Sequence, residues 1–233
     1  MQLTVRDVSK FLNVAESTVS RWIRQRGLPA HLLGGKHHFN RAEVLEWATT
    51  NQIKISPEIF DYPESDEEPP PSLLESLEAG GIFYHLRDTS KELALRAVVQ
   101  VLPLPGEIDR ALLLQLFLAR EASATTAIGG GIALPHVRNP IVLHVARPMV
   151  TLCFLEKPVD FGALDGQPVQ TLFSLICPTI RSHLQILARL SHALHDEKFK
   201  QVVLRQGKRE EILREARRVE AALVAVEAGK VTP

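Results

Sequence analysis

The chain has 233 residues, of which 45% are hydrophobic and 23% charged, and its 27 Lys and Arg are balanced by 27 Asp and Glu. A net charge of zero excludes a global field that would draw the whole molecule onto nucleic acid or an anionic membrane. No apolar run reaches the roughly 20 residues of a membrane-spanning helix, and the start MQLTVRDVSK is too polar for a signal peptide. We therefore expect a cytoplasmic protein with no membrane partner.

The first 55 residues have the pattern of a winged helix-turn-helix domain. TVRD, at Thr4–Asp7, fits a capping box that opens a short helix. A tight turn then leads into STVSRWIRQRG, where Val19, Trp22 and Ile23 fall on one face at helical spacing. Gly27 is typical of the end of such a helix. The spacing therefore predicts two helices joined by a short turn.

A hairpin and a third helix complete the predicted domain. LLGGKHHF predicts a small hairpin around its two glycines, and NRAEVLEWA restarts a helix behind an Asn40/Glu43 capping box. Residues 1–55 hold eight Lys or Arg and four Asp or Glu, so this part is basic although the whole chain is neutral. Side chains that bind phosphates or read base edges face outward from the second helix and the hairpin. The candidate DNA-binding residues are Ser17, Thr18, Arg21, Arg24, Lys36 and His37.

The residues alone leave two interpretations of this domain: a DNA-binding module, or a small interaction module whose arginines form a solvated face. VRDVSKFLNVAESTVSRWIRQRGLPA, followed by the glycine hairpin and FNRAEVLEWA, resembles the excisionase/MerR-like family over the whole domain. The resemblance implies that the second helix enters the major groove of DNA and that the hairpin is a wing near phosphates. So small a domain makes few phosphate contacts, and we expect a homodimer or a helper protein on DNA.

Residues 56–74 are predicted to be a linker. DYPESDEEPPPS, within this segment, has five acidic residues and four prolines and almost nothing to bury. Such a composition does not offset the entropy of ordering, and it favours an extended, self-repelling chain. The linker separates the domain of residues 1–55 from a larger one at residues 75–228.

The larger domain alternates between helical and strand patterns, which predicts an α/β sandwich. TSKELALRAVVQVL, with a capping box at Thr89/Glu92, and EIDRALLLQLFLAREAS predict two helices, and IRSHLQILARLSHAL and REEILREARRVEAALVAV predict two more. MVTLCFL and VQTLFSLICP are apolar runs of strand length. They contain the two cysteines, Cys153 and Cys177, for which we expect buried thiols in a reducing compartment. The inward side chains of the second helix are predicted to be Leu112, Leu113, Leu116 and Phe117.

Three consecutive glycines, Gly129–Gly131, stand out in TTAIGGGIALPHVRNP because glycine weakens any strand or helix that runs through it. The run lacks the Lys and Ser or Thr of a P-loop and the spacing of a dinucleotide-binding fingerprint. We therefore expect a phosphate loop, in which backbone amides face an anion centred on His136. Arg120 and Arg138 stand on either side of the run as candidate cations.

His136 has the chemistry of a phosphoryl acceptor. An ordinary histidine, with a pKa near 6.5, is mostly neutral at pH 7 and has a free lone pair for attack. An arginine and backbone N–H groups would stabilise the oxygens of a transferring phosphoryl group. On these residues alone, a core histidine beside a glycine turn is favoured over a phosphoryl acceptor. His183, His192 and His195 share one helical stretch, but no acidic ligand stands beside them, and we expect no metal site.

The run RE…TTAIGGGIALPHVR resembles enzyme IIA domains of the phosphotransferase system, in the fructose/mannitol and nitrogen-regulatory class. The likeness continues through PVDFGALDGQPVQTLFSLICP and SHLQILARLSHAL. It implies an IIA-type fold, a mixed sheet flanked by helices, with no cofactor. It also implies that His136 receives phosphate from an HPr-like phosphocarrier, that Arg120 lies near the phosphate and that His183 supports His136. Val137 departs from the glycine often found after this histidine, which bears on the partners that approach it.

The two resemblances together predict a regulatory phosphocarrier that couples phosphorylation of His136 to DNA binding by residues 1–55. One alternative is a sugar-specific IIA component that passes phosphate to a IIB unit. Another is a DNA-binding protein whose IIA-like domain only senses or dimerises. The downstream partner would then be a IIB unit or a regulatory target protein.

Overall fold

The computed structural model describes residues 2–33, 36–56, 70–87, 90–106, 108–137 and 145–229. The chain divides into two compact units, Met1–Pro69 and Pro70–Pro233. Their boundary falls within the predicted linker, of which residues 57–69 lie outside the described residues.

The first unit has three helices and a three-stranded antiparallel sheet in the order β1-β3-β2, in its described residues. The capping box at Thr4 is confirmed, because its hydroxyl accepts the N–H of Asp7 while the Asp7 carboxylate accepts the N–H of Thr4. The pairing of β2 with β3 confirms the predicted hairpin, and β1 adds a strand that the sequence pattern did not predict. The elements are β1 (Gln2–Thr4), α1 (Val5–Phe11), α2 (Glu16–Gln25), β2 (His31–Leu33), β3 (Lys36–Asn40) and α3 (Arg41–Thr50).

Two tryptophans form the centre of this small unit. The rings of Trp22 in α2 and Trp47 in α3 lie 5.3 Å apart, and the indole N–H of Trp47 donates to the Arg26 carbonyl at 2.9 Å. Gly27 follows α2 with a φ of +63°, the left-handed conformation that favours glycine at a helix end. The core therefore fixes α2 against α3. The predicted capping box at Asn40 involves a side chain outside the described residues.

The second unit contains a five-stranded mixed sheet in the order β4-β7-β8-β6-β5, flanked by helices, as predicted. The pairs β4–β7 and β6–β8 are parallel, whereas β7–β8 and β5–β6 are antiparallel. The helices are α4 (Leu73–Gly80), α5 (Lys91–Val101), α6 (Arg110–Ser123), α7 (Ile180–His195), α8 (Glu197–Leu204) and α9 (Arg209–Gly229). The strands are β4 (Ile82–Leu86), β5 (Ala127–Gly129), β6 (Ile132–Ala133), β7 (Met149–Val159) and β8 (Val169–Ile176).

The central strands β7 and β8 are buried over most of their length, which explains their nearly continuous apolar sequences. Leu95 and Phe117, from α5 and α6, join Leu172 of β8 in one buried cluster. Cys153 and Cys177 are free and fully buried, as predicted, and burial raises the pKa of each thiol to about 12.

Three details differ from the sequence prediction. Ser90, rather than Thr89, caps α5, because its hydroxyl accepts the N–H of Leu93; Thr89 itself lies outside the described residues. Leu112, which was predicted to face inward, is 49% exposed, whereas Leu113 and Phe117 are buried as predicted. The predicted linker also ends two residues early: Ser72 caps α4, and its hydroxyl donates to Glu220 at 2.7 Å.

The last residue of α4, Gly80, provides a test of this packing. A Cβ atom there would lie 2.3 Å from the Val150 carbonyl oxygen and 2.8 Å from the Thr151 nitrogen, both backbone atoms that cannot rotate away. We expect Gly80→Ala to lower the free energy of unfolding of the second unit by about 2 kcal/mol or more, as overpacking does. Denaturant unfolding measures the change. Gly106→Ala is the control, because nothing lies within 4 Å of its Cβ position, and an equal loss in both variants would contradict this explanation.

Candidate active site around His136

Strand register places His136 beside the central strand of the sheet. Ile132 and Ala133 pair with Thr171 and Leu172 of β8, and His136 forms a parallel bridge with Leu175 in the same register. The N–H of Leu175 donates to the Pro135 carbonyl at 3.2 Å, so the chain stays against β8 past the proline. His136 consequently lies at the carboxyl end of β8, near the point where α7 begins.

Hydrogen bonds at both ring nitrogens determine the state of the His136 imidazole. Nδ1 lies 2.7 Å from the Leu134 carbonyl oxygen, and a carbonyl only accepts, so Nδ1 must bear the proton. The Nε–H of Arg120 donates to Nε2 at 3.3 Å, which requires a lone pair on Nε2. His136 is therefore a neutral imidazole whose unprotonated nitrogen, Nε2, faces the Arg120 guanidinium group. Its side chain is buried, with 3% of the residue exposed.

The other two predicted catalytic residues converge on this ring. Arg120 lies in the last turn of α6, is buried, and donates a second hydrogen bond from Nη1 to the Ala124 carbonyl at 2.8 Å. His183 is a buried residue in the first turns of α7, and its ring centroid lies 5.1 Å from that of His136 at a tilt of 40°. Three residues from α6, the segment after β6 and α7 thus meet at one place.

A buried carboxylate that the sequence analysis did not select lies next to Arg120. Oε2 of Glu121 accepts two hydrogen bonds from Thr126, one from its backbone N–H at 3.0 Å and one from its side-chain hydroxyl at 2.6 Å. Oε1 of Glu121 lies 3.3 Å from Nζ of Lys91. The Thr126 carbonyl in turn accepts the N–H of Leu134 at 2.9 Å. The only sequence signal for this arrangement is that Glu121 follows Arg120.

The glycine turn lies away from His136. Gly129–Gly131 join β5 to β6, and the Gly131 carbonyl accepts the N–H groups of Gln170 and Thr171 at the start of β8. His136 is bridged to Leu175, which lies four residues beyond Thr171 on β8. At 3.3 Å per residue, about 13 Å of strand therefore separate the glycine turn from His136. All three glycines have positive φ, which a tight turn of this hand requires.

The Asp165 carboxylate occupies the turn where a phosphate was predicted. The Gly130 N–H donates to Oδ2 of Asp165 at 2.7 Å, and the Gln167 N–H donates to Oδ1 at 3.1 Å. These two hydrogen bonds, that of Gly130 first, hold the pKa of the Asp165 carboxyl below its usual value. The geometry therefore favours a structural turn over the predicted phosphate loop of Gly129, Gly130 and Gly131. Arg138, the remaining member of that predicted loop, lies outside the described residues.

The predicted DNA-binding residues of the first unit face solvent where their side chains are described. Ser17, Arg21 and Arg24 of α2 are exposed and Thr18 is half-buried, while His37 is exposed on β3. The side chain of Lys36 lies outside the described residues. DNA contact by these residues stays a prediction.

The helical histidines and the long helices give two further observations. Among the described residues, no group of three or more His, Cys, Asp or Glu side chains is arranged to hold a metal ion. His195 instead has Nδ1 2.8 Å from the Ser191 carbonyl of its own helix. No helix within the described residues is both long and apolar enough to cross a membrane.

Both units match known families. Residues 75–217 match the family model described as phosphoenolpyruvate-dependent sugar phosphotransferase system, EIIA 2, and residues 3–52 match a helix-turn-helix domain. A nitrogen regulatory protein of Bradyrhizobium diazoefficiens is 35% identical over 115 residues, which are 48% of this chain and 72% of the relative. The fructose-specific EIIA component of Haloferax volcanii is 33% identical over 118 residues, 49% of this chain and 75% of the relative.

A solved structure shows the same fold. The nitrogen regulatory protein IIA-Ntr of Neisseria meningitidis superposes with a TM-score of 0.54 at 24% identity, covering 62% of this chain and 98% of that one. The mixed sheet with flanking helices is therefore the IIA fold. The predicted resemblances of both units to known families are confirmed.

The pKa of Asp165 gives a test of the glycine turn. Because its folded-state pKa lies below the unfolded value, the stabilisation is present above that value, about 3.9, and is lost as the pH falls through the folded-state pKa. We expect Asp165→Asn to cost less than about 1 kcal/mol at neutral pH, since the side chain is exposed and screened by solvent. The difference in unfolding free energy between Asp165→Asn and wild type should disappear as the pH falls below about 4, which denaturant unfolding measured across pH would show. A gap that is independent of pH would show that the carboxylate charge does not stabilise the turn.

Proposed function

Because the chain belongs to the family of phosphoenolpyruvate-dependent sugar phosphotransferase system EIIA 2 domains, we propose that it is a phosphocarrier whose acceptor is Nε2 of His136. One observation carries the proposal: the Leu134 carbonyl fixes the proton on Nδ1, which leaves the lone pair on Nε2 facing Arg120. The donor is an HPr-like protein that carries a phosphohistidine. The likeness to nitrogen regulatory proteins supports a regulatory role.

The transfer step needs only groups that are already in place. The Nε2 lone pair attacks phosphorus, the new N–P bond forms, and the bond to the donor's imidazole nitrogen breaks with its electron pair returning to that ring. The hydrogen bond from Nδ1 to the Leu134 carbonyl persists, so the positive charge that develops on the His136 ring is stabilised by a carbonyl dipole. No proton has to leave Nε2 before the attack, because none is there.

Arg120 and His183 have supporting roles. The Arg120 N–H that now occupies the lone pair moves to the phosphoryl oxygens once the phosphorus approaches, and a guanidinium group in a buried site stabilises their charge strongly. His183, whose ring lies beside that of His136, supplies a second donor for the same oxygens. Both side chains act by position and charge rather than by forming a bond.

The first unit is proposed to bind DNA through α2. Its match to a helix-turn-helix domain and the exposed arginines of that helix support this role. Arg21 and Arg24 lie about one turn apart on one helix, a spacing that suits phosphate and base-edge contacts in a major groove. The local excess of positive charge supplies the non-specific part of the affinity.

Phosphorylation of His136 is proposed to change DNA binding. A phosphoryl group adds up to about two negative charges to the second unit, and the first unit is basic. Since one chain carries both units, each meets the other at an effective concentration on the order of millimolar, at which weak contacts matter. The phosphorylated unit would then compete with DNA for the same positive surface.

A second candidate function is delivery of phosphate to a IIB unit during sugar uptake. The likeness to a fructose-specific EIIA component favours it, at an identity close to that of the nitrogen regulatory protein. The two functions share the chemistry at His136 and differ in the recipient. Loss of label from the phosphorylated chain on addition of a fructose-type IIB unit would favour sugar uptake.

We expect His136→Ala to abolish acid-labile labelling by phosphoenolpyruvate, enzyme I and HPr, because it removes the attacking atom. NMR of the labelled wild-type chain should place the phosphoryl group on Nε2. His195→Ala is the matched control, since this histidine lies on the surface of α7 and bonds its own helix, and its label should be unchanged. Arg120→Ala should still take the label, about a hundredfold more slowly, as is typical for loss of one charged donor.

Two results would contradict the proposed site. Label at normal stoichiometry on His136→Ala would show that another residue is the acceptor. A phosphoryl group found on Nδ1 would show that the Leu134 carbonyl does not select the reacting nitrogen.

For DNA binding, we expect Arg21→Ala and Arg24→Ala each to weaken binding to a selected DNA site and to reduce its salt dependence by about one counterion. Arg209→Ala, which removes an exposed charge from the second unit, is the control and should have no effect. Phosphorylation of the wild-type chain should weaken the same binding severalfold, and the His136→Ala chain should not respond to the phosphorylating mixture. Equal affinities of the two phosphorylation states at fixed salt would exclude the proposed coupling.

A further inference from the structure

We propose that Glu121, paired with Lys91, is a positioning residue for the reacting nitrogen of His136, an inference that rests on the phosphoryl-accepting role proposed above. Glu121 does not touch the imidazole. It acts through Thr126 and Leu134, which form an unbroken series of hydrogen bonds from its carboxylate to Nδ1 of the ring.

Each step of this series has the geometry of a good hydrogen bond. One carboxylate oxygen of Glu121 accepts both the N–H and the hydroxyl of Thr126, which fixes this residue in position and in rotation. The Thr126 carbonyl holds the Leu134 N–H at 2.9 Å, and the Leu134 carbonyl holds Nδ1 at 2.7 Å. A shift of Glu121 is therefore transmitted to the carbonyl that determines which nitrogen carries the proton.

Glu121 also sets the distance between the two groups that bind the ring. Arg120 and Glu121 are consecutive residues of α6, so the turn that presents Arg120 to Nε2 is the one anchored to Thr126. The Leu134 carbonyl, in the segment after β6, accepts a hydrogen bond from Nδ1, and Arg120 of α6 donates one to Nε2. Glu121 connects the two because it lies in α6 and binds Thr126, whose carbonyl accepts the Leu134 N–H. Small displacements of such groups have large effects on rate, because the attacking atom must be aligned with phosphorus.

Lys91 makes a buried carboxylate tolerable at this place. The Glu121 side chain is 5% exposed, and an unpaired charge there would be costly. Nζ of Lys91 lies 3.3 Å from the carboxylate, 2.9 Å from the Phe161 carbonyl oxygen and 5.6 Å from the Phe161 ring centroid. These three contacts fix the ammonium group of Lys91. The ion pair between Glu92 and Arg96, also on α5, is exposed by comparison.

The test compares Glu121→Gln and Thr126→Val with Glu92→Gln in the full chain. Glu121→Gln keeps the shape and an acceptor but loses the charge that pairs with Lys91, and Thr126→Val removes the hydroxyl while it keeps the backbone N–H. Glu92→Gln breaks an exposed ion pair of α5 and serves as the control. Two quantities are measured: the proton position on His136 by ¹⁵N NMR without any phosphodonor, and the rate of phosphorylation by HPr.

We expect Glu121→Gln and Thr126→Val to lower the population of the Nδ1–H form and to slow phosphorylation by on the order of tenfold to a hundredfold. Glu92→Gln should match wild type in both measurements. An unchanged proton position and rate in a folded Thr126→Val chain would overturn the proposal, even where Glu121→Gln does not fold. If the wild-type chain takes no label on His136, the proposed function fails, while the proton position still decides whether Glu121 orients the ring.

Discussion

The hydrogen bond between Nδ1 of His136 and the Leu134 carbonyl is the constraint on which the proposed chemistry of this protein depends. It joins the ring to the backbone carbonyl two residues earlier, so it depends on the conformation of the chain from Leu134 to His136. Parallel pairing with β8 maintains that conformation, because Leu175 holds the Pro135 carbonyl from the other side. The strand pairing therefore determines which ring nitrogen carries the proton, and the helices determine what faces the other one.

Burial strengthens each of these effects. Arg120, Glu121, His136 and His183 are all nearly inaccessible to solvent, although each carries a polar or ionisable group. Charges and dipoles interact more strongly there than in water, and each unpaired one is costly, so the polar groups are connected to one another. The result is a small buried polar cluster beside the sheet, in which Nε2 of His136 faces the Arg120 guanidinium group.

The sequence predicted those features whose residues lie close together along the chain or form a short motif. His136, Arg120 and the capping box at Thr4 could be identified because motif or spacing carries their signal. The glycine turn was predicted to face His136 because Gly131 and His136 are only five residues apart in sequence. Along an extended strand, five residues place the two positions far apart in space. The pair Lys91–Glu121 joins positions 30 residues apart, and only the packing of α5 on α6 brings them together. Leu112 was misassigned because the buried stripe of α6 depends on the elements that pack against it, α5 among them.

The two buried cysteines have a practical consequence for studying this protein. A thiol whose pKa is about 12 is ionised in only on the order of one molecule in a hundred thousand at pH 7, and the thiolate is the form that reacts. Cys153 and Cys177 should therefore be silent towards maleimides and other alkylating dyes in the folded chain. One cysteine introduced on each unit would take fluorophores selectively in the natural sequence background, and the distance between the units could then be followed during a single phosphorylation cycle.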